Sequence, residues 1–294
     1  MFKRTGYDAR GRAYRMLKYG IVCLLLLFPT FIIQAESEVM ETVGQGQIDW
    51  ERGVLQVKGS GALSQNPGTS LAKAKLMAER AAKADAYRNG LEALEGVRVN
   101  SETLVKDFET ESDEIRTSVQ GYLKGGRFIS TNYTSDGICE VMLELPLSGR
   151  SDFSRLLYDS VKPRITVGPT MAPVQPDYSS VSYTGIIIDT RGLDVKPALY
   201  PQVFDTDGFL LYGPTVVNFD LLKTKTLVAY TRSVERALVM DRVGKKPLQI
   251  KATSVIKATN GEITDLILSV EATRIFRGAA VGLLAKAAVV FIID

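Results

Sequence analysis

The sequence predicts an α+β protein in which one long alanine-rich helix covers a small sheet and a second α/β module follows. Three observations support this fold class. Residues 53–60 alternate between apolar and polar side chains, as a strand with one buried face does. Residues 70–94 carry alanines at helical spacing without a proline. Ser135, Asp136 and Gly137 separate two strand-like runs and are typical of a hairpin turn.

The pattern of residues 1–35 at the N-terminus predicts a secretory signal peptide. Six basic residues precede residues 21–33, a run of thirteen without a charge, and the small residue Ala35 follows where a signal peptidase would cut. Thirteen residues broken by Pro29 are short for a membrane-spanning helix, which needs about 20, although an uncleaved anchor stays an alternative. Cys23 has no apolar segment before it, which argues against a lipid-attachment site.

The first module, predicted at residues 44–150, is built around one helix. Thr69 or Ser70 can cap this helix, and Gly96 ends it. One stripe of the helix is expected to face the sheet, and it consists of Leu71, Ala74, Ala78, Ala81, Ala82, Ala86 and Ala93. A second apolar face could contact a neighbouring element or another subunit. Its members are the candidate interaction residues Leu76, Tyr87, Leu91 and Leu94.

Three further segments complete the first module. Residues 97–99 predict a short strand. Residues 106–116, with seven charged residues in eleven, predict a solvated loop or small helix. Residues 127–134 and 138–147 predict the strands of the hairpin.

A proline-rich linker is predicted at residues 151–181, because four prolines lie between residues 163 and 176 and disfavour a helix. The second α/β module is predicted at residues 182–294. Its expected elements are a strand at 183–189, a hairpin at 203–211, a helix at 233–242, strands at 248–256 and 263–268, a helix at 270–285 and a strand at 287–293.

The composition restricts the possible functions. Among 294 residues, 45% are hydrophobic and 23% are charged, which suits a folded protein with a substantial core. The chain contains no histidine. This absence excludes histidine-based triads, histidine acid–base catalysis and histidine metal ligands.

The basic excess belongs to the targeting segment. The full chain has a net charge of +3, but residues 1–35 contain six basic residues and one acidic residue, so 30 Lys+Arg and 32 Asp+Glu remain, a net charge of −2. Charge therefore gives no support for a nucleic-acid partner. Cys139 is the one cysteine left, and we expect it to be a buried small hydrophobe rather than a reactive thiol.

An acidic cluster in the second module is the candidate for a metal-binding or hydrolytic site. Asp189 ends an apolar strand, where a carboxylate can hold a metal or act as a base, and Asp194 follows it closely. Asp205 and Asp207 lie in an Asp-Thr-Asp-Gly turn, where aspartate is favoured for backbone reasons alone. A calcium loop starting at Asp205 would need an acid at Val216, so structural roles are favoured for these aspartates.

Residues 278–293 give a further alternative, because they carry a single charge and could insert into a membrane. Sixteen residues are marginal for a span, and the change from helix formers to Val, Phe and Ile favours a helix followed by a buried strand.

Residues 50–150 resemble a known bacterial module. The run Gly59-Ser60-Gly61-Ala62, the helix motif at residues 78–88 with its Asp85-Ala86-Tyr87-Arg88, and Gly96-Val97-x-Val99 are similar to envelope and flagellar assembly proteins of the FlgP and FlgT N-terminal type. The resemblance implies a secreted protein of the periplasm or outer membrane that has no enzymatic activity and assembles into envelope structures, including rings around the flagellar motor. No ligand-contact residue is carried over.

We therefore expect a non-catalytic, secreted cell-envelope protein that is a structural or assembly component and needs no cofactor. The expected partners are envelope or flagellar assembly proteins, other copies of the chain, or both, with peripheral association with the outer membrane as a further expectation.

Overall fold

A computed structural model describes residues 39–147, 157–158, 182–222, 225–279 and 282–294. The described residues all belong to one compact unit. The predicted signal peptide lies outside the described residues, as does the predicted linker apart from Leu157 and Tyr158. The structure is α+β, and one long helix packs on a sheet, which confirms the predicted fold class.

The first sheet is antiparallel and has five strands. They are β1 Met40–Val43, β2 Gly46–Asp49, β3 Val54–Ala62, β4 Arg127–Tyr133 and β5 Ile138–Pro146. Their order across the sheet is β1-β2-β3-β5-β4. β4 and β5 form the predicted hairpin, and Gly137 adopts a positive φ of 83° in its turn, where glycine carries no steric penalty.

The long helix, α1, spans Leu71–Glu95 and covers one face of this sheet. It begins where predicted, because the side chain of Ser70 accepts a hydrogen bond from the Lys73 amide at 3.4 Å, and it ends at Gly96. Most of the predicted stripe faces the sheet, although Leu71 and Ala81 are exposed. The buried members are Ala74, Ala78, Ala82, Ala86 and Ala93.

The backbone of α1 lies directly against two glycines of β3. A Cβ added to Gly59 would lie 2.3 Å from the carbonyl oxygen of Ala82 and 2.3 Å from the amide nitrogen of Ala86. A Cβ on Gly61 would lie 2.2 Å from the carbonyl oxygen of Ala78. Glycines on the strand and alanines on the helix therefore allow an approach that larger side chains would prevent.

Two helices, α2 Val105–Glu111 and α3 Asp113–Lys124, follow α1. The prediction of a loop or small helix at 106–116 missed α3, whose buried residues Ile115, Val119 and Leu123 recur every four positions. The strand predicted at 97–99 is reduced to a single bridge between Arg98 and Leu104.

The backbone of residues 97–99 instead forms hydrogen bonds with the second half of the chain. The carbonyl oxygens of Arg98 and Val99 accept hydrogen bonds from the amides of Leu199 at 3.1 Å and Tyr200 at 2.8 Å. These bonds attach the segment after α1 to the second half of the chain.

Two further sheets lie in the second half. Their strands are β6 Gly185–Asp189, β7 Val203–Phe204, β8 Leu210–Tyr212, β9 Ala229–Thr231, β10 Pro247–Lys251, β11 Ser254–Lys257, β12 Ile263–Ile267 and β13 Val289–Ile292. The order β10-β6-β13-β9 forms a parallel sheet, and β11-β12-β7-β8 forms a mixed one. The helices are α4 Phe219–Leu222, α5 Val234–Val239 and α6 Val270–Ala279, with a 3₁₀ turn at Leu284–Lys286.

Two predicted elements of this half differ from the structure. The strand predicted at 248–256 is divided between two sheets, because the Ala252 amide bonds the carbonyl oxygen of Asp189 at 2.9 Å and the chain then turns into β11. The helix predicted at 270–285 ends at Ala279.

The core is continuous between the two halves. The ring of Trp50 lies 5.9 Å from that of Tyr230, and Tyr230 lies 5.9 Å from Phe291 in the central strand β13. The first sheet uses only residues before 147 and the other two only residues after 184, yet one buried apolar cluster includes members of both. In the ranges that the structure describes, no helix is both long enough and apolar enough to cross a membrane.

Candidate functional site

Asp189, at the carboxyl end of β6, is paired with the arginine two residues later. Its carboxylate accepts hydrogen bonds from Arg191 Nε at 2.9 Å and Nη2 at 2.7 Å. The bond from Arg191 lowers the pKa of Asp189 below its ordinary value, which keeps the carboxylate ionised. Asp189 therefore takes part in an ion pair, as a structural aspartate would.

Asp205 is buried and holds the β7–β8 turn together. Its Oδ1 accepts hydrogen bonds from the amides of Asp207 at 3.0 Å and Phe209 at 2.8 Å, while its Oδ2 lies 2.6 Å from Arg277 Nη2. Asp207 itself is exposed. The Asp-Thr-Asp-Gly run thus has the turn geometry that its residue types favour.

Asp194 is exposed, and its carboxylate lies 2.7 Å from Lys196 Nζ. Nearby, the side chain of Asp294 accepts hydrogen bonds from the amides of Gly192 at 2.9 Å and Asp194 at 3.3 Å. Within the described ranges, no three or more acidic or cysteine side chains are grouped so that they could hold a metal ion.

A cleft of about 390 Å³ lies between the β2–β3 turn and the start of β9. Arg242 forms part of its wall and donates hydrogen bonds to the carbonyl oxygens of Thr226 at 3.0 Å and Ala287 at 3.2 Å. Burial lowers the pKa of this guanidinium. The residues around the cleft are Glu51, Arg52, Gly53, Lys225, Thr226, Ala229, Met240, Asp241 and Arg242.

Other charged groups of the cleft also have internal partners. Glu51 lies 2.6 Å from Arg236, and Arg52 lies 3.4 Å from Glu144. The Glu51–Arg236 pair links the β2–β3 turn to α5, while the Arg52–Glu144 pair stays within the first sheet, because Glu144 belongs to β5.

Residues 185–294 match one protein family. The matching family model is described as Treponema pallidum Tp0624, second domain. The match begins at the first residue of β6 and includes both sheets of the second half. No curated protein matches the chain.

A buried carboxylate that the sequence did not point to lies where the two halves meet. Asp265 accepts hydrogen bonds from Ser101 Oγ at 3.0 Å, the Gln202 amide at 2.9 Å and Thr264 Oγ1 at 3.0 Å. All three donors are neutral. Burial raises the pKa of Asp265 above its ordinary value, because the lost hydration of the carboxylate outweighs the three hydrogen bonds that it accepts.

The wild-type protein is expected to lose stability as the pH rises and Asp265 ionises, and Asp265→Asn should abolish this pH dependence. A raised pKa means that the folded state binds the proton more tightly than the unfolded state, so stability is greatest below the ordinary value of 3.8 and falls as the pH rises through the folded-state value. An asparagine has no such titration. Urea unfolding at a series of pH values measures the free energy of unfolding of both proteins. The value for Asp265→Asn should rise relative to that of the wild-type protein as the pH increases.

Ser101→Ala is the matched control for this prediction. It removes one hydrogen bond to Asp265 but leaves the buried carboxylate, so the pH dependence should persist. Parallel stability curves for the wild-type protein and Asp265→Asn would contradict the prediction.

The four candidate interaction residues on α1 have different environments. Leu76 is 50% exposed. Tyr87 is half-buried, with its ring 5.5 Å from that of Phe128 in β4, and Leu91 is half-buried against the core. Leu94 is fully buried, which excludes it from an exposed interaction face. The C-terminal half of this face thus contacts neighbouring elements, while the N-terminal half is exposed.

Two exposed apolar residues in the N-terminal half of α1 were not among the candidates. Met77 is 51% exposed and Leu71 is 67% exposed. The helical pattern placed Leu71 on the buried stripe, and Met77 was assigned to no face. Their exposure depends on which part of α1 the sheet covers, which periodicity alone does not reveal.

Proposed function

We propose that the chain is a non-catalytic, secreted protein of the bacterial cell envelope that acts as a structural or assembly component. The N-terminal pattern of residues 1–35 supports secretion. Asp189 and Asp205, the main chemical candidates, have their carboxylates paired with arginines. The resemblance of residues 50–150 to FlgP- and FlgT-type modules supports periplasmic or outer-membrane assemblies, including flagellar rings.

The observation that carries the proposal is the free edge of β4. In the described part of the chain β4 pairs only with β5, and residues 129–133 carry exposed side chains without a charge or a proline. An exposed edge of this composition offers unpaired backbone groups to another strand. The natural occupant is a strand from a second copy or an assembly partner.

The opposite side of the same sheet provides a contrast. β3 extends beyond its pairing with β2, and side chains of α1 cover the resulting edge. Asp85 accepts a hydrogen bond from the Ser60 amide at 2.9 Å, and Asn89 donates one to the Lys58 carbonyl oxygen at 3.0 Å. The helix thus protects one edge of the sheet, and β4 has no equivalent cover among the described residues.

A double variant of the edge strand tests this proposal. Residues 37–294 are expected to form dimers or larger assemblies by light scattering, and Ser130→Lys with Asn132→Lys should convert them to monomers. Lysines on an edge oppose strand pairing by adding charge that pairing would crowd and desolvate.

Gln47→Lys is the matched control, because Gln47 is an exposed residue on β2, which is paired on both sides. It should leave assembly unchanged. A monomeric wild-type protein, or equal assembly of the double variant, would overturn strand-edge assembly.

Each of the two alternatives requires contacts of the described structure to break. A metal-binding or hydrolytic module around Asp189, Asp205 and Asp207 would first have to break their ion pairs or turn contacts. A subunit that inserts residues 278–293 into a membrane would have to withdraw β13, which pairs with β6 and β9 and is fully buried.

A further inference from the structure

The outer face of the N-terminal half of α1 combines exposed apolar and cationic side chains. Lys73, Leu76, Met77 and Arg80 lie within about 100° around the helix axis, opposite the buried Ala78. We call these four residues the α1 outer patch. Leu76 and Met77 are each about half exposed, at 50% and 51%, although large apolar side chains of a helix usually face the core.

The cations of the α1 outer patch are not neutralised by acidic neighbours. Within the described ranges, neither Lys73 nor Arg80 forms an ion pair. Glu79, the acidic residue closest to them along the helix, is held by Lys83 at 2.7 Å. Lys75, one position from Leu76, lies over the ring of Tyr133 at 5.1 Å from its centroid and is also cationic. The surroundings of Leu76 and Met77 are therefore positively charged.

The charge and the shape of the α1 outer patch indicate which partner it can bind. A symmetrical pair of α1 helices would place Lys73 and Arg80 of one copy near those of the other, and like charges at such an interface oppose association. The patch is the convex side of a helix rather than a groove, which suits a flat surface better than an inserted peptide. Apolar side chains flanked by lysine and arginine on one helix face are typical of contact with anionic lipid.

We propose that the α1 outer patch binds the surface of an anionic lipid bilayer. Leu76 and Met77 enter the headgroup region, while Lys73 and Arg80 bind lipid phosphates. This contact goes beyond the proposed assembly role, because it uses the helix layer and not the edge of β4.

Vesicle sedimentation of residues 37–294 tests the proposal without the apolar N-terminal segment. Vesicles of phosphatidylcholine with about one third phosphatidylglycerol should bind the protein, and binding should weaken as salt is added. Vesicles of pure phosphatidylcholine should bind it at least about tenfold less, because they lack the negative surface charge.

Two double variants separate the apolar and electrostatic contributions. Leu76→Ser with Met77→Ser, and Lys73→Gln with Arg80→Gln, should each reduce the vesicle-binding constant by about tenfold. Leu238→Ser with Val239→Ser on α5 is the matched control, since those residues are 40% and 79% exposed in a different place. The control should bind like the wild-type protein.

Failure of this proposal is distinguishable from failure of strand-edge assembly. Both α1 double variants should keep the assembly state of the wild-type protein in light scattering. Absence of binding to anionic vesicles, equal binding to pure phosphatidylcholine, or binding that both α1 double variants retain would overturn the lipid contact, whatever the assembly state is.

Discussion

Gly59→Ala is expected to lower the free energy of unfolding by about 3 kcal/mol, at the upper end of the usual cost of overpacking. The added methyl group would lie 2.3 Å from both the Ala82 carbonyl oxygen and the Ala86 amide nitrogen. Both atoms belong to the backbone of α1, so neither can rotate away as a side chain would. The helix must shift from the sheet, and its buried alanines then lose contact with β3 and β5.

Urea unfolding followed by the fluorescence of Trp50 measures this effect, because Trp50 is the single tryptophan and is buried. Gly121→Ala is the matched control. A Cβ on Gly121 in α3 meets nothing within 4 Å, so the substitution should stabilise that helix by up to about 1 kcal/mol. Equal stability of Gly59→Ala and the wild-type protein would show that α1 does not require the close approach.

The elements that the sequence predicted well depend on local patterns. The alanine spacing of α1, its Ser70 cap and the glycine turn between β4 and β5 are all contained within short stretches of chain. α3 was missed because the charged run over residues 106–116 extends into its first turn and drew attention from Ile115, Val119 and Leu123, which are spaced at four residues and buried. A search for apolar spacing that disregarded the charges would have found this helix.

Other features depend on contacts between distant residues. Asp265 binds Ser101, and Arg98 Nε donates to the Pro197 carbonyl oxygen at 3.0 Å, so neither role could be recognised from neighbours in sequence. The difference between Leu76 and Leu94 has the same origin. Both lie on the second apolar face of α1, but only the C-terminal half of that face is covered by other elements.

Asp205→Ala is expected to destabilise the fold by about 3 kcal/mol, because it removes one partner of a largely buried ion pair. Arg277 would keep its charge with its side chain 23% exposed and would lose the carboxylate that lies 2.6 Å away. The amides of Asp207 and Phe209 would lose their acceptor in the β7–β8 turn. Chemical denaturation of residues 37–294 measures the loss.

Asp207→Ala separates this structural role from metal binding. Asp207 is exposed and contributes its backbone amide to the turn, so its truncation should change stability by less than about 0.5 kcal/mol. A calcium or magnesium site formed by these aspartates would instead raise the melting temperature of the wild-type protein in millimolar cation, and either substitution would reduce that shift. We expect no such shift, and a large stability loss in Asp205→Ala alone. A cation-dependent shift that both variants abolish would restore the metal-binding alternative.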